Sequence, residues 1–129
     1  MSPLEGKVFL VVDDEELVRE VLAEELTLFG ARVLTAPNGS EALEILRKQR
    51  FDAVFADIRM PGGDGLFLVE SLNKDTGEKP LVFLCSGLMD VSIPDPQRLG
   101  IAAIIKKPFD CATLIKTVTE AFDRARIRK

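Results

Sequence analysis

No histidine, tyrosine or tryptophan occurs among the 129 residues, and cysteine occurs only twice. Without histidine, acid–base chemistry by imidazole and most zinc sites are excluded. The two thiols, Cys85 and Cys111, lie in separate segments with no CxxC spacing. A structural disulfide is therefore not expected. Long apolar runs are missing too: none approaches the roughly eighteen residues that a membrane-crossing helix requires. The stretch from Met1 to Lys7 lacks the basic start and apolar continuation of a secretory signal, so the expected compartment is the cytoplasm, with no membrane partner. Positive charge is not in excess, because the formal net charge is −4. That argues against direct nucleic-acid binding, which needs clustered lysine and arginine to neutralise phosphates. The one basic cluster, Arg124, Arg126, Arg128 and Lys129, suits the negative end of a terminal helix.

What is present is the composition of a globular chain, 47% hydrophobic and 29% charged. The length fits one domain spanning residues 1–129, with a folded core over about 6–125. Five short apolar runs alternate with segments of helical character: Val8 to Val12, Arg32 to Thr35, Ala53 to Ala56, Leu81 to Cys85, and Ile101 to Ile105. Most are apolar without alternation, as parallel strands covered on both faces should be. The second departs from this and reads as an edge strand. Between them, Glu15 to Phe29 carries Leu17, Val18, Val21, Leu22, Glu25, Leu26 and Phe29 as a stripe of helical period, stopped by Gly30.

Ser40 to Gln49 repeats the period, with Asn38 or Gly39 as the cap. A third helix is predicted from about Asp64 through Leu66, Phe67, Val69 and Leu72. The last starts at the cap Asp110 and should bury Leu114, Ile115, Val118, Ala121 and Phe122. Pro94 and Pro96 interrupt the remaining segment, so only a short helix, Pro96 to Leu99, fits before the fifth strand. Five strand–helix alternations predict an α/β fold: a doubly wound five-stranded parallel sheet in a three-layer sandwich with a shortened or irregular fourth helix.

In such a sheet ligands sit outside the carboxyl ends of the strands. Four of the five apolar runs lead there into polar residues: Asp13 and Asp14, Asp57, Ser86, and Lys106 with Lys107. Three converging carboxylates would raise one another's pKa unless a cation joined them. Mg²⁺ fits, since it takes oxygen ligands and commonly shares one or two carboxylates with a phosphate. Taken singly, each feature has a plainer explanation. Asp13 or Asp14 could cap the first helix, Asp57 could form a turn with the Gly62, Gly63 and Gly65 stretch, and Ser86–Gly87 could be a turn. Lys107, held away from helical geometry by Pro108, could be a solvated lysine.

Together they are more specific. "VVDDE" at Val11 to Glu15, "DIRMPGGDG" at Asp57 to Gly65, "SG" at Ser86 and "KPF" at Lys107 to Phe109 resemble the receiver domains of two-component response regulators over nearly the whole chain. The resemblance implies a flavodoxin-like fold with strand order 2-1-3-4-5. It implies a phosphoryl group on Asp57 and Mg²⁺, or Mn²⁺ in its place, held by Asp13, Asp14, Asp57 and the carbonyl of Arg59. Ser86 and Lys107 would close on the phosphoryl oxygens. The implied partners are a sensor histidine kinase or phosphotransfer protein and a downstream target or output domain. The implied role is a signalling switch, not an enzyme in the usual sense, and homodimerisation stays open.

Two departures bear on signal propagation. The family usually carries Tyr or Phe three residues before the active lysine, where this chain has Ile104. An aromatic switch is thus absent, and the segment Leu88 to Gly100 becomes the expected moving element. Arg59 and Leu88 stand where the family tunes dephosphorylation, and their bulk predicts a long-lived phosphoryl group. The competing expectation is a receiver-like module that binds partners or dimerises without phosphorylation. An aspartyl phosphatase of the haloacid dehalogenase type is disfavoured, because its acid would fall at Arg59.

Overall fold

The computed structural model describes residues 2–59, 62–74, 79–87 and 95–127. Five strands, β1 (Val8–Val12), β2 (Arg32–Ala36), β3 (Ala53–Asp57), β4 (Leu81–Ser86) and β5 (Ile101–Lys106), form one parallel sheet in the order β2-β1-β3-β4-β5. The least apolar strand, β2, does lie at an edge. Among the described residues four α-helices connect or follow them: α1 (Glu16–Leu28), α2 (Gly39–Lys48), α3 (Gly65–Asn73) and α4 (Cys111–Ile127). Among the described residues of the connection between β4 and β5, Pro96–Leu99 forms a 3-10 turn with proline in its first turn, where it is tolerated.

The caps follow from short polar side chains. Asn38 accepts the Glu41 N–H at 2.9 Å, Asp64 accepts the Phe67 N–H at 3.0 Å, and Asp110 accepts the Thr113 N–H at 2.7 Å. The first helix ends at Phe29, and Gly30 takes the left-handed conformation at φ 104°.

Because side chains alternate across a strand, the sheet divides the apolar residues into two cores. Leu10, Val12, Val54, Ala56, Val82 and Leu84 face α2 and α3. Phe9, Val11, Phe55, Phe83 and Cys85 face α1 and α4. A bulge keeps β5 in phase: Val82 pairs with Ile101 but Phe83 pairs with Ala103, leaving Ala102 as the extra residue. The aromatic rings concentrate on the α1/α4 side. Phe55 and Phe83 stack at 4.8 Å between centroids, Phe9 meets Phe55 at 5.3 Å, and Phe122 stacks on Phe9 at 5.9 Å.

Two expectations from the periodicity need correction. Leu17 and Val21 are 76% and 54% exposed, because the apolar stripe of α1 is wider than the surface it covers and only Leu22 and Leu26 reach the interior. Glu25, placed in that stripe, is half-buried, and its carboxylate helps to raise the pKa of the Cys111 thiol of α4. Leu4 is fully buried, and its N–H donates to the Phe29 carbonyl at 2.9 Å.

Candidate functional site

The carboxyl ends of β1 and β3 lie side by side, with Val12 opposite Ala56. The residues that follow therefore share one rim. Asp13 is the buried acid of the three, 4% exposed, Asp57 is half-buried, and Asp14 is open to solvent. One carboxylate oxygen from each of Asp13, Asp14 and Asp57 lies within 4.8 Å of the other two. Just past the end of β5, Lys107 Nζ stands 3.1 Å from Asp57 Oδ2 and 3.3 Å from Asp13 Oδ2. Burial alone would lower the lysine's pKa, but the hydrogen bond to Asp57 and the charges of Asp13 and Asp57 outweigh it and raise the pKa.

Local geometry holds the rim. Asp13 Oδ1 accepts the Glu15 N–H at 2.9 Å, and the Asp13 carbonyl accepts from Arg19 Nη1 at 2.8 Å. The aspartate therefore does serve the entry to α1, through one oxygen, while the other faces Lys107. Arg19, which pins this turn from the next turn of the helix, carried no signal in the sequence, because an arginine early in a helix is ordinary. Gly65 is required by close packing: a Cβ there would lie 2.7 Å from the Asp57 carbonyl oxygen and 2.6 Å from Leu84. Its neighbours Gly62 and Gly63 have φ of 79° and 109°, and the Gly63 carbonyl accepts the Gly39 N–H at 2.8 Å. The loop after Asp57 is thereby tied to the start of α2. Beneath the rim lies Cys85, whose carbonyl accepts the Ile58 N–H at 3.0 Å. Burial, first of all, pushes its thiol up to about 12, with Lys107 acting in the opposite sense.

Of the positions singled out in the sequence, Asp13, Asp14, Asp57 and Lys107 come together. Ser86 ends β4 one strand away, and its hydroxyl donates to the Gly87 carbonyl at 3.2 Å rather than to the acids. Arg59, two residues beyond Asp57, presents an exposed side chain. Leu88 and most of the expected moving segment, 88–94, lie outside the described residues. Ile104 pairs with Leu84 and packs, half-buried, against the α2/α3 core. The donor set suits a hard divalent cation, being all carboxylate oxygen with one buried and one open member. Such a cluster is also able to bring an anion alongside Lys107, since a compact ammonium with three donors can serve carboxylate and phosphate in turn.

Comparison with known proteins agrees on what the chain is similar to. The sequence profile described as the response regulator receiver domain matches residues 9–119. A response regulator receiver protein of Anaeromyxobacter is 40% identical over 101 residues, which cover 78% of this chain and 42% of that one. Among solved structures, the receiver domain of NtrX from Brucella abortus superposes with a TM-score of 0.80 at 31% identity, covering 89% of this chain and 98% of that one. A receiver domain protein from Clostridium thermocellum gives 0.82 at 25% identity, covering 95% and 99%. The chain spans less than half the length of the curated relatives it matches.

Proposed function

This chain belongs to the response regulator receiver domain family of two-component signalling, and on that premise we propose that it is a phosphorylation-dependent switch whose phosphoryl group is carried by Asp57. The observation that supports this most is the placement of Lys107 Nζ at 3.1 Å from Asp57, beside three carboxylates gathered within 4.8 Å. In the proposed step a carboxylate oxygen of Asp57 attacks the phosphorus of a phosphohistidine on a partner kinase or phosphotransfer protein. The O–P bond forms as the N–P bond breaks, and the electron pair returns to the imidazole nitrogen. A carboxylate is a weak nucleophile, so the transfer depends on alignment and charge neutralisation.

Asp13, Asp14, Asp57 and the carbonyl of Arg59 would hold Mg²⁺, which would supply neutralisation of the transferring oxygens. Lys107 then exchanges the Asp57 carboxylate for the phosphoryl oxygens. Ser86 turns its hydroxyl from the Gly87 carbonyl towards the same anion. The phosphoryl group adds up to about two negative charges and three acceptors at the rim, and these new bonds shift the neighbouring loops and the surface offered to a target. With Ile104 in place of an aromatic ring, the loop after Ser86 carries the change. The exposed Arg59 side chain screens the acyl phosphate from water and lengthens its life.

Incubation with acetyl phosphate and Mg²⁺, followed by intact mass, tests the assignment. Wild type should gain one phosphoryl mass and Asp57→Asn none. A gain that persists in Asp57→Asn, or no gain in wild type, would overturn it.

A further inference from the structure

At the opposite edge of the sheet, where the strands begin, a cavity of about 780 Å³ opens between the ends of α2, α3 and α4. Its volume falls within the ~300–1,000 Å³ typical of small-molecule sites. Among the described residues five cations line it, Lys7, Arg47, Arg50, Lys79 and Arg126, against two carboxylates, Asp52 and Asp123. In a chain of net charge −4 this is a local reversal of sign. Both acids are already engaged: Asp52 Oδ2 accepts the Val8 N–H at 2.8 Å, and Asp123 pairs with Arg126 at 3.3 Å. The walls also offer apolar surface from Leu46, Leu81 and Phe122, and Lys7 Nζ lies 4.5 Å from the centre of the Phe122 ring. A second hollow of about 320 Å³ shares Pro80, Leu81 and Ala125 with the first and adds Arg124.

We propose that this cavity binds a small organic polyanion with a flat apolar body, of the nucleoside diphosphate class, with its charged groups on Arg47 and Lys79 and its ring against Leu46, Leu81 and Phe122. Charge alone would attract any anion to such a rim. The apolar floor is what selects one with a hydrophobic face, because burying that face adds to the charge-assisted bonds. The two ends of β3 separate this site from Asp57 by about 13 Å at ~3.3 Å per residue, so it does not depend on the phosphoryl chemistry.

The test is a titration of the ¹⁵N-labelled chain with ADP, adenosine and pyrophosphate in EDTA, which prevents capture of the ligand at the acidic rim through a metal. ADP should give saturable shifts at residues 46–52, 79–81 and 119–126, with adenosine and pyrophosphate each binding far more weakly. Arg47→Gln and Lys79→Gln, both at exposed positions, should each weaken ADP about tenfold, the worth of one charge-assisted bond. Asp57→Asn should leave ADP binding unchanged. Equal binding of pyrophosphate would reduce the site to surface charge, and equal binding of adenosine would remove the role of the cations. Either result, shifts confined to the Asp13 and Asp57 rim, or unchanged affinity in both Gln variants would overturn the proposal.

Discussion

Replacing Lys107 with methionine keeps most of the side-chain stem and removes a charge that bridges Asp13 and Asp57, at 3.3 and 3.1 Å. What remains is a set of carboxylates with oxygens within 4.8 Å of one another. Two unit charges at that distance repel by about 3.5 kcal/mol at an effective dielectric of ~20. Asp14 is exposed, so Asp13 and Asp57 are the pair that matters. The Lys107 side chain itself is 24% exposed, so water already screens part of the bridge, and the net loss in EDTA should be about 2 kcal/mol. A divalent cation supplies the missing charge. Adding Mg²⁺ should therefore stabilise Lys107→Met by more than it stabilises wild type, following the logarithm of ligand concentration over Kd. Urea unfolding of both proteins, with EDTA and with a Mg²⁺ series, measures the difference. Equal stability of the two in EDTA, or equal gains from Mg²⁺, would show that lysine and cation do not answer the same charge deficit.

In Gly39→Ala the new methyl would meet the Gly63 carbonyl oxygen at 2.6 Å. Overpacking against backbone of this kind should cost about 1–3 kcal/mol, and an unchanged denaturation midpoint would contradict the tie between α2 and the loop after Asp57. Native alkylation at mildly alkaline pH should label Cys111 well before Cys85, whose thiol burial holds up near 12; peptide mass mapping reads the order, and equal rates would count against it. Asp110 is held below the ordinary carboxylate value of 3.8, first by the Thr113 backbone N–H and then by its side chain. A depressed folded pKa stabilises above the unfolded value and loses that effect as pH falls through the folded one. Asp110→Ala should thus be less stable at pH 7, with the gap closing below about pH 4; a gap independent of pH would remove the charged cap from the explanation.

The parts of this fold legible in the sequence were those governed by local rules. All five strands begin at the predicted residues, since each follows a polar or turn-forming break into an apolar run, and Asn38, Asp64 and Asp110 announce the helices they cap. The ends of the strands came one residue short four times, at Ala36, Asp57, Ser86 and Lys106, because the last paired residue is already polar or small and serves the rim. The exposure of Leu17 and Val21 could not be foreseen from periodicity, which states that a face is apolar but not what covers it. At the site, residue types and strand ends were enough to gather Asp13, Asp14, Asp57 and Lys107. The direction of the Ser86 hydroxyl and the tether from Arg19 to the Asp13 carbonyl depend on torsions and on a neighbour six positions away, for which sequence spacing holds no rule.

The uneven distribution of aromatic rings has a mechanical consequence. Three phenylalanines of the sheet, Phe9, Phe55 and Phe83, line the side that backs α1 and α4, and Phe122 of α4 stacks on Phe9, where large flat side chains resist sliding. The opposite side, which backs α2 and α3, is filled mainly by branched aliphatic side chains that can change rotamer within the same volume. Deformation started beside Asp57 therefore has a compliant direction and a stiff one.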